Sequence, residues 1–279
     1  MNKITNDIIK SFESYLFESE KSEHTIEKYL RDIRFFCLWL GEGELTKAMV
    51  LKYKKELCER YSPASVNSIL SSLNALFIYM CRYELKVRIL KIQRKIFADK
   101  EKELTKGEYE RLLSAAKRKG REKLYYIMQT IASTGIRISE LKYITCEAVA
   151  SGQATVNCKG KIRQIFLSGE LCKVLKKYIK ERKIKKGAVF VSRNGNPVDR
   201  SMVWKMMKEL CNEANVPKSK VFPHNLRHLF ARTFYSLQKD IVRLADILGH
   251  SSIETTRIYT IESGEIHKMQ LCRLGLLRC

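Results

Sequence analysis

The chain has 279 residues, of which 45% are hydrophobic, and its formal net charge at pH 7 is +23. This length suits two domains with sizeable cores better than one, and the composition excludes a mostly disordered chain. The apolar runs are far too short to span a bilayer and the polar N-terminus carries no export signal, so we expect neither a membrane protein nor a secreted one.

The positive charge is concentrated in the second part of the chain. Residues 1–100 carry 18 basic and 13 acidic side chains, whereas residues 101–279 carry 35 and 17. A polyanion such as nucleic acid is the natural partner, although a basic surface that only promotes solubility would have the same composition. The nine cysteines form no Cys-x-x-Cys pair and no ligand cluster with histidine. We therefore expect free thiols, no zinc and a reducing, cytoplasmic location.

Helical patterns run from residue 5 to about residue 90. From Ser22 onward, apolar residues recur at three- and four-residue spacing, which predicts an amphipathic helix that ends at the glycines beginning with Gly41. A second helix is predicted over residues 46–60. A third begins with Ser62 as its N-cap and Pro63 at its first position. Residues 1–92 are therefore predicted to form a helical domain.

A charged stretch without helical periodicity follows, and we place a linker at residues 93–103. Thr105 and Glu108 then form a capping box that predicts the start of a helix. Helices are also expected from about Ser201 to the end of the chain. Residues 104–279 are predicted to form a second, mostly helical domain.

Short strand-like runs interrupt the helices of this second domain. Residues 154–158 and 162–167 are separated by Lys-Gly-Lys, which predicts an antiparallel hairpin. Residues 189–191 predict a further short strand that turns at Asn194-Gly195. The expected fold class is therefore mostly α with a small antiparallel β-sheet in the C-terminal domain.

Five short segments follow one another in the second part of the chain. They are Thr134-Gly-Ile-Arg137-Ile-Ser-Glu140-Leu, Cys158-Lys159-Gly-Lys161, His224-Asn-Leu-Arg227-His228, Leu248-Gly-His250-Ser-Ser and Thr255-Thr-Arg-Ile-Tyr259. Together they resemble the tyrosine recombinase (phage integrase) family over residues 100 to 262. The N-terminal part is more weakly similar to the helical, SAM-like core-binding domain of that family. The chain is most similar to compact, Xer-like members and to integrases of small mobile elements.

The residue types suit cleavage of a phosphodiester. Attack by an oxygen nucleophile builds up negative charge on the non-bridging phosphate oxygens, and arginines bind such oxygens through planar forks that stay charged. The resemblance implies this role for Arg137 and Arg227, although an arginine alone is more often a surface or salt-bridging residue. It also implies that Tyr259 is the nucleophile and forms a 3′-phosphotyrosyl bond. The energy of the cleaved ester is then stored, and resealing needs no ATP.

Two histidines are expected to assist the attack by this tyrosine. A free tyrosine has a pKa of about 10, so its attack at neutral pH needs assistance. His224 lies three residues before Arg227, on the same helix face, and an imidazole that titrates near neutrality suits proton transfer. The resemblance implies that His250 binds the phosphate or positions the nucleophile. A core histidine beside a helix-ending glycine is the alternative.

The resemblance also implies a hairpin lysine that protonates the departing 5′ oxygen. Lys159 fits this role, and Lys161 would fit if the hairpin register differs. Glu140 is predicted to orient active-site groups without touching DNA, although a carboxylate on a helix surface is nearly as plausible. We find no phosphate-binding glycine loop and no carboxylate cluster for Mg²⁺, so we expect no cofactor and no metal.

The resemblance therefore implies a site-specific recombinase or integrase whose two domains clamp double-stranded DNA. The working unit is expected to be a homotetramer on paired sites, with an accessory DNA-bending protein as a further expected partner. Residues 265–279 are predicted to form a tail helix that packs on its own domain or on a neighbouring protomer. A tyrosine-type topoisomerase shares the chemistry, and a non-catalytic DNA-binding regulator would also explain the charge.

Overall fold

The computed structural model describes residues 3–92, 100–158, 161–192, 194–259 and 272, without the side chains of residues 100, 158 and 161. The chain divides into two compact units, residues 1–94 and residues 95–279. Among the described residues, no helix is both long and apolar enough to cross a bilayer.

The first unit is helical. Its helices are α1 (Asn6–Glu18), α2 (Glu23–Leu40), α3 (Lys47–Arg60) and α4 (Pro63–Tyr79), followed by a 3₁₀ turn at Tyr83–Leu85. The three helices predicted here are present. Ser62 caps α4 by accepting a hydrogen bond from the backbone nitrogen of Ser65, and Gly41 ends α2 with a φ of 56°. Local capping and periodicity therefore account for the positions of these helices.

A buried carboxylate on α2 connects this helix with α4. Asp32 on α2 is 5% exposed, and its carboxylate lies 2.9 Å from the ammonium of Lys28. The same carboxylate accepts a hydrogen bond of 2.9 Å from the hydroxyl of Ser72 on α4. A buried charge is tolerated where it is both paired and hydrogen-bonded. Around it lies an apolar core that includes Phe12, Phe36 and Phe77.

The second unit packs helices around a two-stranded antiparallel sheet. Its helices are α5 (Lys106–Arg118), α6 (Glu122–Thr134), α7 (Cys146–Ser151), α8 (Gly169–Glu181), α9 (Arg200–Lys208), α10 (Cys211–Ala214), α11 (Pro223–Gln238), α12 (Ile241–Leu248) and α13 (Ile253–Thr256). The strands are β1 (Gln153–Cys158) and β2 (Lys161–Phe166), and short 3₁₀ turns lie at Lys100–Lys102, Ile138–Tyr143, Lys218–Lys220 and Arg257–Tyr259. The prediction of a mostly helical fold with a small antiparallel sheet is confirmed.

The hairpin alternates between a buried and an exposed face. Val156 of β1 pairs with Arg163 of β2, next to the pair of Ala154 and Ile165. The buried side chains are those of Ala154, Val156 and Ile165, whereas Phe166 is 71% exposed. Because directly opposed residues share a face, Arg163 is directed toward the interior of the unit.

The predicted strand at residues 189–191 is wrong. Val191 makes an isolated bridge with Pro197, and the neighbouring Ala188 makes another with Thr145. Val189 and Phe190 are buried in the main core of the second unit. The run is apolar because it crosses this core, and a short apolar run alone does not distinguish a strand from a buried loop. The predicted tail helix at residues 265–279 lies outside the described residues, apart from residue 272.

The predicted capping box at the start of α5 is present. The Thr105 hydroxyl accepts a hydrogen bond from the backbone nitrogen of Glu108, whose carboxylate accepts one from the backbone nitrogen of Thr105. Lys220 lies 2.9 Å from the same carboxylate. This pair connects the start of α5 to the turn that precedes α11, the helix that carries the H-x-x-R segment.

Candidate active site

Gly135 allows the arginine segment to turn against two other helices. It ends α6 in the left-handed conformation, with a φ of 66°. A Cβ atom at this position would overlap Cδ1 of the Phe230 ring on α11, and it would lie 2.7 Å from Cε1 of that ring and 3.0 Å from Leu248 on α12. The absence of a side chain therefore permits both the backbone conformation and the close approach of these helices.

Arg137 follows this turn and is held by Glu140. The Glu140 carboxylate accepts a hydrogen bond of 2.7 Å from the Arg137 backbone nitrogen and one of 3.1 Å from its Nη1. The Glu140 side chain is 2% exposed, whereas that of Arg137 is 39% exposed. The buried carboxylate thus orients a guanidinium that still reaches solvent.

Arg163 reaches the same carboxylate from the hairpin. Its Nη2 donates to Glu140 Oε2 at 2.6 Å, and its Nη1 donates to the carbonyl of Ile247 near the end of α12. A Cβ atom at Gly249 would lie 2.5 Å from Cδ of Arg163. The arginine side chain therefore packs directly beneath the L-G-H segment.

Arg227 is the most enclosed cation of the site. It lies on α11, is 1% exposed, and donates to the carbonyls of Gly135 at 2.5 Å and Leu248 at 2.8 Å. Its Nη2 also lies 3.0 Å from Nε2 of His250. Burial, followed by the charge of Arg137, lowers the pKa of Arg227 to about 10. The guanidinium remains protonated at neutral pH and joins the arginine segment to the L-G-H segment.

The hydrogen bonds of His250 indicate its tautomer. Because an arginine only donates, Nε2 accepts from Arg227, and Nδ1 donates to the hydroxyl of Thr256 at 2.8 Å. Thr256 is fully buried on α13. Burial, followed by the charges of Arg227 and Arg137, lowers the pKa of His250 to about 4. His250 is therefore neutral at physiological pH.

Two further histidines lie on α11, and their rings are in contact. The rings of His224 and His228 meet edge to face, with centroids 4.5 Å apart. Burial, followed by the charges of Arg227 and Arg137, lowers the pKa of His224 below its ordinary value. Burial lowers the pKa of His228 to about 3, and its Nε2 is buried without a hydrogen-bond partner among the described residues.

Tyr259 packs against both histidine segments of its own chain. It is 5% exposed and belongs to an apolar cluster with Ala231, Leu244 and Leu248. Its ring centroid lies 5.0 Å from that of His228 and 6.2 Å from that of His250. Burial raises the pKa of Tyr259, and the charges of Arg227 and Arg137 act in the opposite direction. Ionisation of this hydroxyl therefore depends on nearby positive charge.

Most of the residues predicted for the site are brought together. They are Arg137, Glu140, His224, Arg227, His250 and Tyr259. Lys159 and the side chain of Lys161 lie outside the described residues, on either side of the turn between β1 and β2. No three His, Cys, Asp or Glu residues within the described ranges are arranged to hold a metal ion.

Sequence reasoning missed three residues of this arrangement, Arg163, His228 and Thr256. The spacing of His228, four residues after His224, places both on one helix face and was an available signal. Arg163 gave a weaker signal, as a charged residue at an inward position of a strand. Nothing in the sequence pairs Thr256 with His250, because that contact depends on how α12 and α13 meet.

The close approach at Gly135 predicts a large cost for a methyl group. We expect Gly135→Ala to lower the free energy of unfolding by about 3 kcal/mol, because it combines backbone strain with overlap against Phe230. Gly152→Ala is the matched control, since that residue has a φ of 78° and a Cβ atom there would lie 3.9 Å from the carbonyl oxygen of Leu167. The control should cost only about 1 kcal/mol. Equal losses in urea unfolding would contradict the packing argument.

The partly buried His228 and His250 predict a loss of stability in mild acid. In the unfolded chain a histidine has a pKa of about 6.5, whereas the pKa of His228 is about 3 and that of His250 about 4 in the folded protein. Below pH 6.5 the unfolded state takes up protons that the folded state does not bind. Between pH 7 and pH 5 each of the two histidines should therefore lower the free energy of unfolding by about 2 kcal/mol, which makes about 4 kcal/mol together.

Urea unfolding at several pH values measures the slope of the free energy of unfolding against pH. His228→Phe should make the slope shallower, whereas replacement of His24, whose side chain is 94% exposed, should leave it unchanged. A slope that is unaffected by His228→Phe would show that the acid sensitivity arises elsewhere.

The fold and the cluster of arginines, histidines and a tyrosine define a protein built for chemistry on a phosphate ester. A model of the phage integrase family matches residues 102–265, and a model of the phage integrase N-terminal SAM-like domain matches residues 9–84. The chain therefore belongs to the phage integrase family. Its relatives include proteins named as tyrosine recombinases.

Curated relatives match nearly the whole chain. The tyrosine recombinase XerA of Pyrococcus furiosus is 29% identical over 284 residues, covering 98% of this chain and 96% of the relative. The tyrosine recombinase XerD of Vibrio cholerae is 27% identical over 266 residues, covering 88% of this chain and 87% of the relative. These matches support the prediction of a site-specific tyrosine recombinase and do not favour the topoisomerase or regulator alternatives.

Solved structures share the fold. A lambda integrase (residues 75–356) dimer bound to a COC′ core site aligns with a TM-score of 0.75 at 17% identity, over 95% of this chain and 97% of that one. The crystal structure of XerA recombinase aligns with a TM-score of 0.54 at 25% identity, over 99% of this chain and 100% of that one.

Proposed function

We propose that this protein is a site-specific DNA recombinase or integrase that cleaves and rejoins strands through a 3′-phosphotyrosyl bond to Tyr259. The observation that carries the proposal is the convergence of Arg137, Arg227 and His250 with this tyrosine in one chain. Two guanidinium groups supply the positive charge that stabilises the anionic, phosphorane-like transition state, and His250 lies within hydrogen-bonding distance of one of them.

The proposed reaction begins with attack by the Tyr259 oxygen on phosphorus. The bond from phosphorus to the 5′ oxygen then breaks. During this step Arg137 and Arg227 bind the non-bridging oxygens, and His250 lies beside the same phosphate. His224 accepts the tyrosine proton, and the neutral ring of His228 lies beside both groups. The 5′ hydroxyl of a second strand then attacks the phosphotyrosyl bond and releases Tyr259.

The departing 5′ oxygen needs a proton, and we assign its delivery to Lys159, with Lys161 as the alternative. Lys159→Ala should slow cleavage of ordinary DNA about 100- to 1,000-fold. A substrate with sulfur in place of the bridging 5′ oxygen should restore the rate, because a thiolate leaves without a proton. If Lys161→Ala instead shows this loss and recovery, the acid is Lys161.

Residues 1–92 are proposed as a helical core-binding domain, residues 93–103 as a linker and residues 104–279 as the catalytic domain with its tail. The proposed partner is double-stranded DNA, which the integrase neighbour was crystallised with. The net charge of +23 supports this assignment. A homotetramer on paired sites, an accessory DNA-bending protein and a cytoplasmic location complete the proposal.

Capture of covalent adducts tests the enzyme assignment. Wild-type protein and Tyr259→Phe are mixed with sheared DNA from the source cell in EDTA, denatured, and the protein-linked fragments are sequenced. We expect one discrete sequence to be enriched with the wild type alone. A plasmid that carries two copies of this sequence should then be inverted or resolved.

Each contrary result points to a different class of protein. Relaxation of a supercoiled plasmid without exchange between the two copies would indicate a topoisomerase. Binding by both proteins without any adduct would indicate a DNA-binding regulator.

A further inference from the structure

Arg163 is an enclosed cation that the proposed reaction leaves without a role. Its side chain is 14% exposed, and the strand alternation of β2 directs it inward. One guanidinium nitrogen donates to the Glu140 carboxylate at 2.6 Å and the other to the carbonyl of Ile247. A partly buried arginine that donates to two separate places in the chain holds them in a fixed position relative to each other.

The first partner of Arg163 leads to Arg137. Glu140 Oε2 accepts from Arg163 and from the Arg137 backbone nitrogen, while Oε1 accepts from the Arg137 guanidinium. Without Arg163, the 2%-exposed carboxylate loses its shortest hydrogen bond and keeps only the two that it accepts from Arg137 itself. The orientation of Arg137 therefore depends on a residue of the hairpin.

The second partner leads to His250. Ile247 and Gly249 lie three residues and one residue before this histidine, and the Arg163 side chain donates to the carbonyl of the first and packs against the second. Gly249 has a φ of 64°, and a Cβ there would lie 2.8 Å from Nε of Arg163. The absence of a side chain at Gly249 is thus what allows the arginine to pass beneath the loop.

We infer that Arg163 is a positioning residue that holds Arg137 and His250 in the arrangement needed at the scissile phosphate, an inference that rests on the function proposed above. Arg163 itself does not touch the reacting atoms. It acts through Glu140 on one side and through the end of α12 on the other. Residues that orient catalytic groups in this way typically contribute about 10- to 100-fold to activity.

Cleavage kinetics of the full-length protein on its own enriched site test this inference. Arg163→Ala is expected to cleave about 10- to 100-fold more slowly, with DNA affinity within about twofold of wild type. Arg163→Lys keeps the positive charge and the aliphatic part of the side chain, but its single ammonium group cannot bind both partners. This variant should therefore remain folded and show a similar loss of cleavage rate. The double variant Arg163→Ala, Glu140→Gln should be no slower than the slower single variant, because both changes break one connection.

The sulfur-substituted substrate separates this role from an effect on the hairpin lysine. If Arg163 positions Arg137 and His250, both Arg163 variants stay slow on that substrate. Recovery to the wild-type rate would overturn the inference, because Arg163 would then act only by placing the general acid.

Arg111→Ala is the control for loss of a structural arginine. Arg111 donates to the carbonyls of Ala214 at 2.9 Å and Asn215 at 3.3 Å, outside the cluster of catalytic candidates. The inference would also be overturned if Arg111→Ala and Arg163→Ala had the same melting temperature and lost cleavage equally. A folded Arg163→Lys variant that cleaves at the wild-type rate would overturn it as well. If the wild-type protein itself forms no adduct at Tyr259, it is the proposed function that fails.

Discussion

Replacement of Tyr259 by phenylalanine is expected to remove strand cleavage almost completely, with a loss of about 10,000-fold or more in rate, because no other group takes over a positioned nucleophile. Phenylalanine keeps the ring that packs against Ala231, Leu244 and Leu248. The free energy of unfolding should therefore change by about 1 kcal/mol or less. Covalent adduct on a nicked substrate is measured by denaturing gel, and DNA affinity by fluorescence anisotropy.

Tyr235→Phe is the matched control for the loss of a tyrosine hydroxyl. Tyr235 lies on α11 and packs against the same apolar cluster as Tyr259. This variant should form adduct at the wild-type rate. Adduct that persists in Tyr259→Phe would mean that a different residue attacks the DNA, and the site assignment would have to be abandoned.

Loss of Arg227 is expected to affect both catalysis and folding. Arg227→Ala removes a cation from the phosphate site and leaves the carbonyls of Gly135 and Leu248 without their donor. We expect cleavage to fall by about 1,000-fold and the free energy of unfolding to fall by about 3 kcal/mol, because two buried acceptors lose their donor. Urea unfolding and single-turnover cleavage measure the two effects separately.

Arg227→Lys separates the two roles of this residue. A lysine retains the charge, but its single ammonium cannot reproduce the fork that contacts Gly135, Leu248 and His250. The lysine variant should therefore remain folded while cleaving about 100-fold more slowly than the wild type. A folded lysine variant with full activity would show that charge alone is sufficient and would contradict the role given to this geometry.

Much of the fold was accessible from local sequence. Ser62 and Pro63 mark the start of α4, and Thr105 with Glu108 marks the start of α5, because capping involves residues only three positions apart. The hairpin was predicted to within one residue at each strand end. Residues 189–191 were misassigned because an apolar run reports burial and does not reveal whether a partner strand lies beside it.

The sequence by itself determined the types and order of the candidate catalytic residues. Arg137, His224, Arg227, His250 and Tyr259 stand in short segments whose spacing is visible without a structure. Their roles remain predictions until the variants are measured.

Only the tertiary structure decided how these segments meet. Arg227 contacts a carbonyl 92 residues away, and Arg163 one that is 84 residues away. No local pattern encodes such contacts, because they depend on the packing of α6, α11, α12 and the hairpin. The protonation of the site was hidden for the same reason: packing around His228 and His250 lowers the pKa of each imidazole well below neutrality, an effect of enclosure that no residue type carries on its own.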